Sequence, residues 1–383
     1  MIRVLIADDS AFMRKVLSDL FSGAPDFEVA GVAFNGKDAV DKVLRLKPDL
    51  LTMDVNMPVM DGLQALEVIM KDCPLPVVML SSLTKEGADA TIKALALGAV
   101  DFLSKAGGSI SKIDTIAEDI LAKCRSAASA NIHFTSNKRI IAEKKQEPPI
   151  FKRINIPERK IFTPPLPSHP SYEKPALRPH VVPSYSYGGG TGHQLVAIGT
   201  STGGPRALQA VVTKLPQNLP CGVVIVQHMP AGFTKSLAER LDTISAVSVK
   251  EAEDHDIIKA GHVYIAPGNY HMTVRSSGGI PEISLNQEPP LGSHRPAVDI
   301  LFNSLVPFGH DLVSVILTGM GCDGSAGMKK IKQAGGYIIA ESEATAVVYG
   351  MPKAVVDLGI ADEVIPVQQV ASAIVNAVKN KRT

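Results

Sequence analysis

Two stretches of this chain repeat a short apolar run, a turn and an amphipathic segment, and that alternation leaves few folds open. The first stretch reads Ile2–Ala7, Ala11–Phe21, Leu50–Met53, Gly62–Met70, Val77–Leu80, Glu86–Leu97, Val100–Leu103 and Ile113–Cys124. Short β runs separated by helix-length segments form a parallel sheet covered by helices on both faces. The pattern resumes at Gln194 with Leu195–Ile198, Gly204–Val212, Val223–Val226, Phe233–Leu241, Val263–Ala266, Ala297–Leu305, Val313–Leu317, Gly324–Gln333, Tyr337–Ala340 and a last helix near Val367–Val378. A second, doubly wound and mainly parallel α/β domain is expected there. Residues 127–192 break the pattern. They hold 10 of the 27 prolines and end in Gly188, Gly189 and Gly190, which reads as a partly extended linker. The expected domains are 1–126 and 193–383, and a length of 383 residues suits two cores.

The charge follows the same division. Residues 1–126 carry 14 basic and 18 acidic groups, 127–192 carry 10 and 4, and the rest carries 15 and 16. The basic linker has scattered charges, no folded motif and no array of stacking aromatics, so it reads as a solvated tether and not as a nucleic-acid site. A near-neutral C-terminal part without a helix-turn-helix-like tail argues against a DNA-binding output. Cys73, Cys124, Cys221 and Cys322 form no C-x-x-C pair. With no signal-peptide pattern and no uninterrupted apolar span, the expectation is a cytoplasmic protein without membrane insertion.

In parallel sheets, ligands gather at the carboxyl ends of the strands. The first domain delivers Asp8 and Asp9, then Asp54, Ser81 and Lys105 to successive strand ends. Crowded carboxylates repel, and hard oxygen ligands of this kind suit Mg²⁺. Asp54 stands alone at its strand end and is the expected nucleophile toward a phosphoryl group, with Lys105 neutralising the transferring oxygens. Helix capping is the bland alternative, and Asp9 or Ser10 could cap the helix that begins near Ala11.

In the second domain a strand runs into Gly199-Thr200-Ser201-Thr202-Gly203-Gly204-Pro205. This G-x-S-x-G turn places a serine before a helix N-terminus, although a nucleotide-binding turn would look similar. Two more strand ends carry Gln227-His228-Met229-Pro230 and Thr318-Gly319-Met320-Gly321-Cys322-Asp323-Gly324. A serine needs an imidazole to take its proton, and the imidazole needs a carboxylate to hold its tautomer. Ser201, His228 and Asp323 supply those roles in an order unlike that of α/β-hydrolases. His255, His262, His271 and His294 lack H-E-x-x-H or H-x-x-E-H spacing and read as surface or structural histidines, with His271 and Arg295 structural or substrate-positioning. Cys322 is expected to pack and not to react.

The segments Ala7-Asp8-Asp9-Ser10, Met53 to Gly62, Ser81-Ser82 and Ser104-Lys105 resemble the receiver domain of bacterial response regulators. That resemblance implies a flavodoxin-like (βα)5 fold, phosphate on Asp54 from a histidine kinase, Mg²⁺ held by Asp8, Asp9, Asp54 and the Asn56 backbone carbonyl, and phosphoryl sensing by Ser81 and Lys105. Receivers usually follow the lysine with a cis-proline; here Ala106 follows. The segments around Ser201 and His228, Ile265 to Met272, His294 to Asp299 and Leu317 to Gly324 resemble the methylesterase domain of the CheB family. The resemblance implies hydrolysis of glutamate methyl esters on chemotaxis receptors, with deamidation of receptor glutamines. It makes Ser201 the nucleophile, His228 the base, Asp323 its partner and the Met320 N–H an oxyanion donor, with no cofactor for that step. It also implies that the unphosphorylated receiver covers the hydrolase edge. A non-catalytic phospho-switch is the rival reading.

Overall fold

The computed structural model describes residues 1–82, 84–105, 113–130 and 194–380. The peptide after Lys105 and residues 131–193, which make up nearly all of the expected linker, lie outside the described residues. The first domain runs β1 (Ile2–Ala7), α1 (Ala11–Gly23), β2 (Phe27–Ala33), α2 (Gly36–Leu46), β3 (Leu50–Asp54), α3 (Gly62–Asp72), β4 (Val77–Ser82), α4 (Lys85–Leu97), β5 (Asp101–Lys105) and α5 (Ile113–Ala128). Its five strands are parallel in the order β2-β1-β3-β4-β5. β2 and α2 lie outside the apolar runs read above, because β2 is a half-buried edge strand and α2 carries charges on most of its surface.

Local chemistry sets the helix starts. Ser10 caps α1, leaving Asp9 free of capping duty, and Asp61 and Gln64 form a reciprocal capping box at α3. Buried strand residues alternate between layers. Val4, Ile6, Leu50, Val78 and Leu103 face α1 and α5, while Leu5, Leu51, Met53, Val77 and Phe102 face the side of α2, α3 and α4.

The second domain contains β6 (Leu195–Thr200), α6 (Gly204–Val212), β7 (Gly222–Gln227), α7 (Phe233–Ile244), β8 (Ser248–Glu251), β9 (His262–Ile265), β10 (His271–Ser277), β11 (Ile280–Asn286) and α8 (Val298–Leu305). A 3₁₀ segment over Val306–Asp311 leads to β12 (Leu312–Ile316), α9 (Ser325–Gln333), β13 (Tyr337–Glu341), α10 (Met351–Asp357), β14 (Glu363–Ile365) and α11 (Val367–Asn380). Seven parallel strands take the order β14-β13-β12-β6-β7-β9-β8, and β10 and β11 form a separate antiparallel hairpin. β6 is the switch point, since the chain proceeds to β7 on one side and returns in β12 on the other. Crevices of this kind are where open α/β sheets bind ligands. Val196 and Ile198 of β6 enter the layer with α6, α7 and α11, while Leu195 and Ala197 enter the layer with α8 and α9.

The two domains share the first of these layers. Ala88 and Ile92 of α4 belong to one apolar cluster with Ala207 and Leu208 of α6 and Phe233 and Leu237 of α7. Phe102 stacks on Phe233 with ring centroids 4.5 Å apart, and the Thr202 hydroxyl donates to Asp101 Oδ2 at 2.6 Å.

Close approach fixes one residue at the centre of the sheet. A Cβ on Gly199 would lie 2.3 Å from Val298 Cγ1 and 3.2 Å from Ile316 Cδ1, so the start of α8 rests on bare backbone. Gly199→Ala should therefore destabilise the protein by about 1–3 kcal/mol, the usual cost of overpacking a filled core. Urea unfolding checks this, and a variant within about 0.5 kcal/mol of the parent would show that Val298 moves aside freely.

Candidate functional site

The turn after β6 is held by Thr318, which follows β12. Its carbonyl accepts from the Ser201 N–H and from the Thr200 hydroxyl, both at 3.0 Å. Its own hydroxyl donates to Thr202 O at 2.9 Å. Gly319 comes next, and a Cβ there would sit 2.8 Å from Ser201 Cβ and 2.3 Å from Met351 Sδ. Only glycine lets this loop lie against the serine. Met320 follows, 42% exposed, and among the described residues its N–H donates to no protein acceptor. An N–H so placed is available to a developing oxyanion.

β7 delivers the imidazole. The Gln227 side-chain amide donates to Ser201 O at 3.0 Å and His228 O at 3.1 Å, tying the two strand ends together. His228 Nδ1 lies 3.2 Å from Ser201 Oγ, and its Nε2 lies 2.8 Å from Asp323 Oδ2. Asp323 Oδ2 also accepts from the Val298 N–H at 2.7 Å, and Oδ1 accepts from the Asp299 N–H at 2.9 Å. These are first-turn donors of α8, whose own N-cap residue, Ala297, offers no side-chain cap. Burial pushes the Asp323 carboxyl upward, but the His228 hydrogen bond and charge and the two backbone donors outweigh it and hold it below the ordinary value. An ionised carboxylate only accepts, so the proton of neutral His228 sits on Nε2 and the Nδ1 lone pair faces the serine hydroxyl.

The remaining histidines divide. His271 is fully buried, with Nδ1 accepting from the Ala297 N–H at 3.3 Å and Nε2 donating to Pro289 O at 3.2 Å. His255 pairs with Glu282 at the surface, and the His262 ring bonds the Ala260 carbonyl. Arg295 donates to the carbonyls of Gln287 and Glu288 and to Asn269 Oδ1, which makes it a strap across its own loop. The ring of His294 stacks on that of His228, centroids 4.0 Å apart and planes 19° from parallel. Cys322 is exposed, against the expectation that it packs, because it rides the outer side of the loop whose inner side carries Gly319 and Asp323. Cys221 is buried.

At the other sheet, Asp8 and Asp54 are buried and Asp9 is exposed, with carboxylate oxygens of all three within 4.8 Å of one another. Lys105 Nζ bridges Asp54 Oδ2 at 2.7 Å and Asp8 Oδ2 at 2.9 Å. Burial pushes the Asp54 carboxyl above the ordinary range, more than the Lys105 ammonium and the Asn56 N–H pull it down, and Asp8 adds to the rise. Asp8 Oδ2 is buried with the Lys105 ion pair as its polar contact. Oxygen ligands alone, converging with excess negative charge, fit a hard divalent cation such as Mg²⁺. Among the described residues this is the one cluster of three acidic, histidine or cysteine side chains close enough to share a metal. Asn56 lies on the adjoining loop, where its N–H hydrogen-bonds Asp54. The Ser81 hydroxyl donates to Gly87 O in α4 at 2.9 Å, so in this state it is turned to the helix.

The family model described as CheB methylesterase matches residues 196–374, and the response regulator receiver domain model matches residues 4–117. The protein-glutamate methylesterase/protein-glutamine glutaminase of Symbiobacterium thermophilum is 48% identical over 379 residues, covering 98% of this chain and 97% of that one. The protein of the same name from Geobacillus kaustophilus is 44% identical over 380 residues, covering 98% and 99%. The solved catalytic domain of Thermotoga maritima CheB methylesterase is 45% identical, covers 48% of this chain and 97% of that one, and superposes with a TM-score of 0.47.

One buried carboxyl supports the serine loop from behind. Glu341, at the end of β13 and 1% exposed, accepts from the Thr318 N–H at 2.8 Å and the Thr345 hydroxyl at 2.9 Å. Burial pushes it up to about 7, against those two hydrogen bonds. A folded-state value above the ordinary one means that this contribution to stability is full below about pH 4.5 and is lost as the pH rises through about 7. Glu341→Gln keeps an acceptor for Thr318 and removes the charge. Between pH 5 and 8 the parent should lose on the order of 2 kcal/mol more stability than this variant, measured by urea unfolding at both pH values. Equal losses would show that Glu341 does not titrate in the fold.

Proposed function

The chain belongs to the CheB methylesterase family, and on that premise we propose that it is a phosphorylation-controlled protein-glutamate methylesterase whose chemistry is carried by Ser201, His228 and Asp323. The observation that carries this reading is the unbroken chain of contacts from Ser201 Oγ through the His228 ring to Asp323. Its substrates are glutamate methyl esters on methyl-accepting chemotaxis receptors, and the same site deamidates receptor glutamines. Among the described residues no helix is long and apolar enough to cross a membrane.

The reaction is acyl transfer. His228 Nδ1 takes the Ser201 proton as Oγ attacks the side-chain carbonyl, and Asp323 stabilises the imidazolium that results. The oxyanion faces the Met320 N–H and the start of α6. His228 returns the proton to the departing methoxy oxygen, methanol leaves, and the same base activates water to hydrolyse the glutamyl ester of Ser201. With a glutamine side chain the leaving group is ammonia. Ester hydrolysis draws on these side chains and backbone donors alone.

Control comes from the receiver, with a histidine kinase as the phosphodonor. Asp8, Asp9, Asp54 and the Asn56 carbonyl would hold Mg²⁺, which neutralises charge on the transferring phosphoryl group when bound. Phosphorylated Asp54 no longer offers Lys105 the same carboxylate, and the Ser81 hydroxyl gains a phosphoryl acceptor in competition with Gly87 O. Lys105 lies on β5, which carries Asp101 and Phe102 against the hydrolase, and Ser81 bonds Gly87 O in α4, which packs beside α6 and α7. Thr202 follows the nucleophile directly, so a receiver that grips Thr202 also covers the approach to Ser201. Phosphorylation shifts the population away from this covered state.

Methanol release from methylated receptors tests the reading. Ser201→Ala should lower it by about 10⁴-fold or more, and Asp323→Asn by a similar factor through the wrong imidazole tautomer. Equal release from the parent and Ser201→Ala would leave the second domain a binding module. Asp101→Ala should raise release without phosphodonor by about two- to tenfold, the loss of ~0.4–1.4 kcal/mol of closure. Asp54→Asn should show no activation by a small phosphodonor; activation equal to the parent would contradict the control mechanism.

A further inference from the structure

We propose that His294 is a positioning residue for the reaction, whose ring forms a flat wall that keeps His228 in line between Ser201 and Asp323 while the proton moves. This rests on the assignment of Ser201, His228 and Asp323 made above.

The hydrogen bonds at Nδ1 and Nε2 both lie at the rim of the His228 ring, so they fix its two polar atoms but resist tilting about the line that joins them only weakly. The stack at 4.0 Å supplies what they lack, a surface against the ring face. The His228 side chain is 5% exposed, so this wall also excludes water from the ring that takes up charge.

The wall is itself built firmly. Leu291 and His294 exchange backbone hydrogen bonds of 3.1 and 3.0 Å around Gly292 and Ser293, both at positive φ, which is the geometry of a tight type I′ turn. The backbone of Gly292 hydrogen-bonds the His294 ring. Immediately downstream, Val298 and Asp299 donate to Asp323. One short segment therefore touches the base through its first residue and the carboxylate partner through its last two.

Charge is consistent with this use. Burial, then the adjacent His228, push the His294 ring down to about 4, so near neutrality it presents a neutral π face. Such a face attracts the imidazolium that forms on His228, where a second cation would repel it.

Substitutions at 294 separate the flat face from simple bulk. In the full-length chain acting on methylated receptor, His294→Leu fills the space without a planar face, and His294→Phe keeps the face while losing the Gly292 hydrogen bond. His294→Leu should lower kcat by about ten- to a hundredfold with KM within about threefold, and His294→Phe should retain at least about tenfold more kcat than His294→Leu. Labelling of Ser201 by a small fluorophosphonate should fall in the same order, since that step needs His228 but no receptor. Should His294→Leu fail to fold, His294→Gln takes its place as the non-aromatic variant. Equal kcat in the aromatic and non-aromatic variants, whether both high or both low, would overturn the proposal. Ser201→Ala in the same assay keeps the two assignments apart. If it stays active the triad itself is wrong, and if it is dead the His294 result stands by itself.

Discussion

The carboxylate of Asp323 is the interaction on which the rest of the site depends. It accepts from two first-turn N–H groups of α8 and from His228 Nε2. As a cap, it satisfies donors that Ala297 cannot reach with its methyl group, and it places a negative charge at the positive end of a helix. As an acceptor, it decides which nitrogen of His228 carries the proton. The cost of burying that charge is met by groups already fixed in the fold, so none of them has to reorganise when the imidazole becomes charged. The bare backbone of Gly199 serves the same end, because it lets Val298 come close enough to the switch point for its N–H to reach the loop after β12.

The second constraint is that the two sheets share an apolar layer while the polar contact between them lands beside Ser201. The apolar part, from α4 to α6 and α7 with Phe102 on Phe233, supplies affinity without regard to charge. The Asp101–Thr202 hydrogen bond adds direction, since Asp101 is 8% exposed and Thr202 is 6% exposed. Both sites thus bear on β5, which ends in Lys105 beside Asp54 and begins with Asp101 against Thr202.

Strand ends were the legible part of this molecule. Asp8, Asp54, Ser201 and His228 stand where an apolar run stops and Asp323 lies in the loop after another, so periodicity and chemistry marked the same sheet edge, and the folded chain brings Ser201, His228 and Asp323 into contact. Contacts between segments distant in sequence were not legible. His294 was one histidine among several with no ligand spacing, and its place against His228 depends on a tight turn and a ring stack that local pattern does not reveal. Glu341 and Asp101 look like ordinary strand acids until Thr318 and Thr202 are seen against them. The β10–β11 hairpin did carry a signal, Gly278-Gly279 between alternating apolar residues, which the stronger α/β rhythm obscured. β2 carries the apolar run Val29-Ala30-Gly31-Val32-Ala33 but is only half-buried at the sheet edge, and α2 exposes its charged face.

The tautomer of His228 is the most direct reading of what Asp323 does. Selective ¹⁵N labelling of histidine, with the His228 ring assigned by comparison with a His228→Gln variant, distinguishes a protonated ring nitrogen from one bearing a lone pair. In the pH range where the ring is neutral, the expected spectrum has hydrogen on Nε2 and a free lone pair on Nδ1, facing Ser201. A ring that carries its proton on Nδ1 would contradict the assignment of His228 as the base toward Ser201, whatever the activity of the variants.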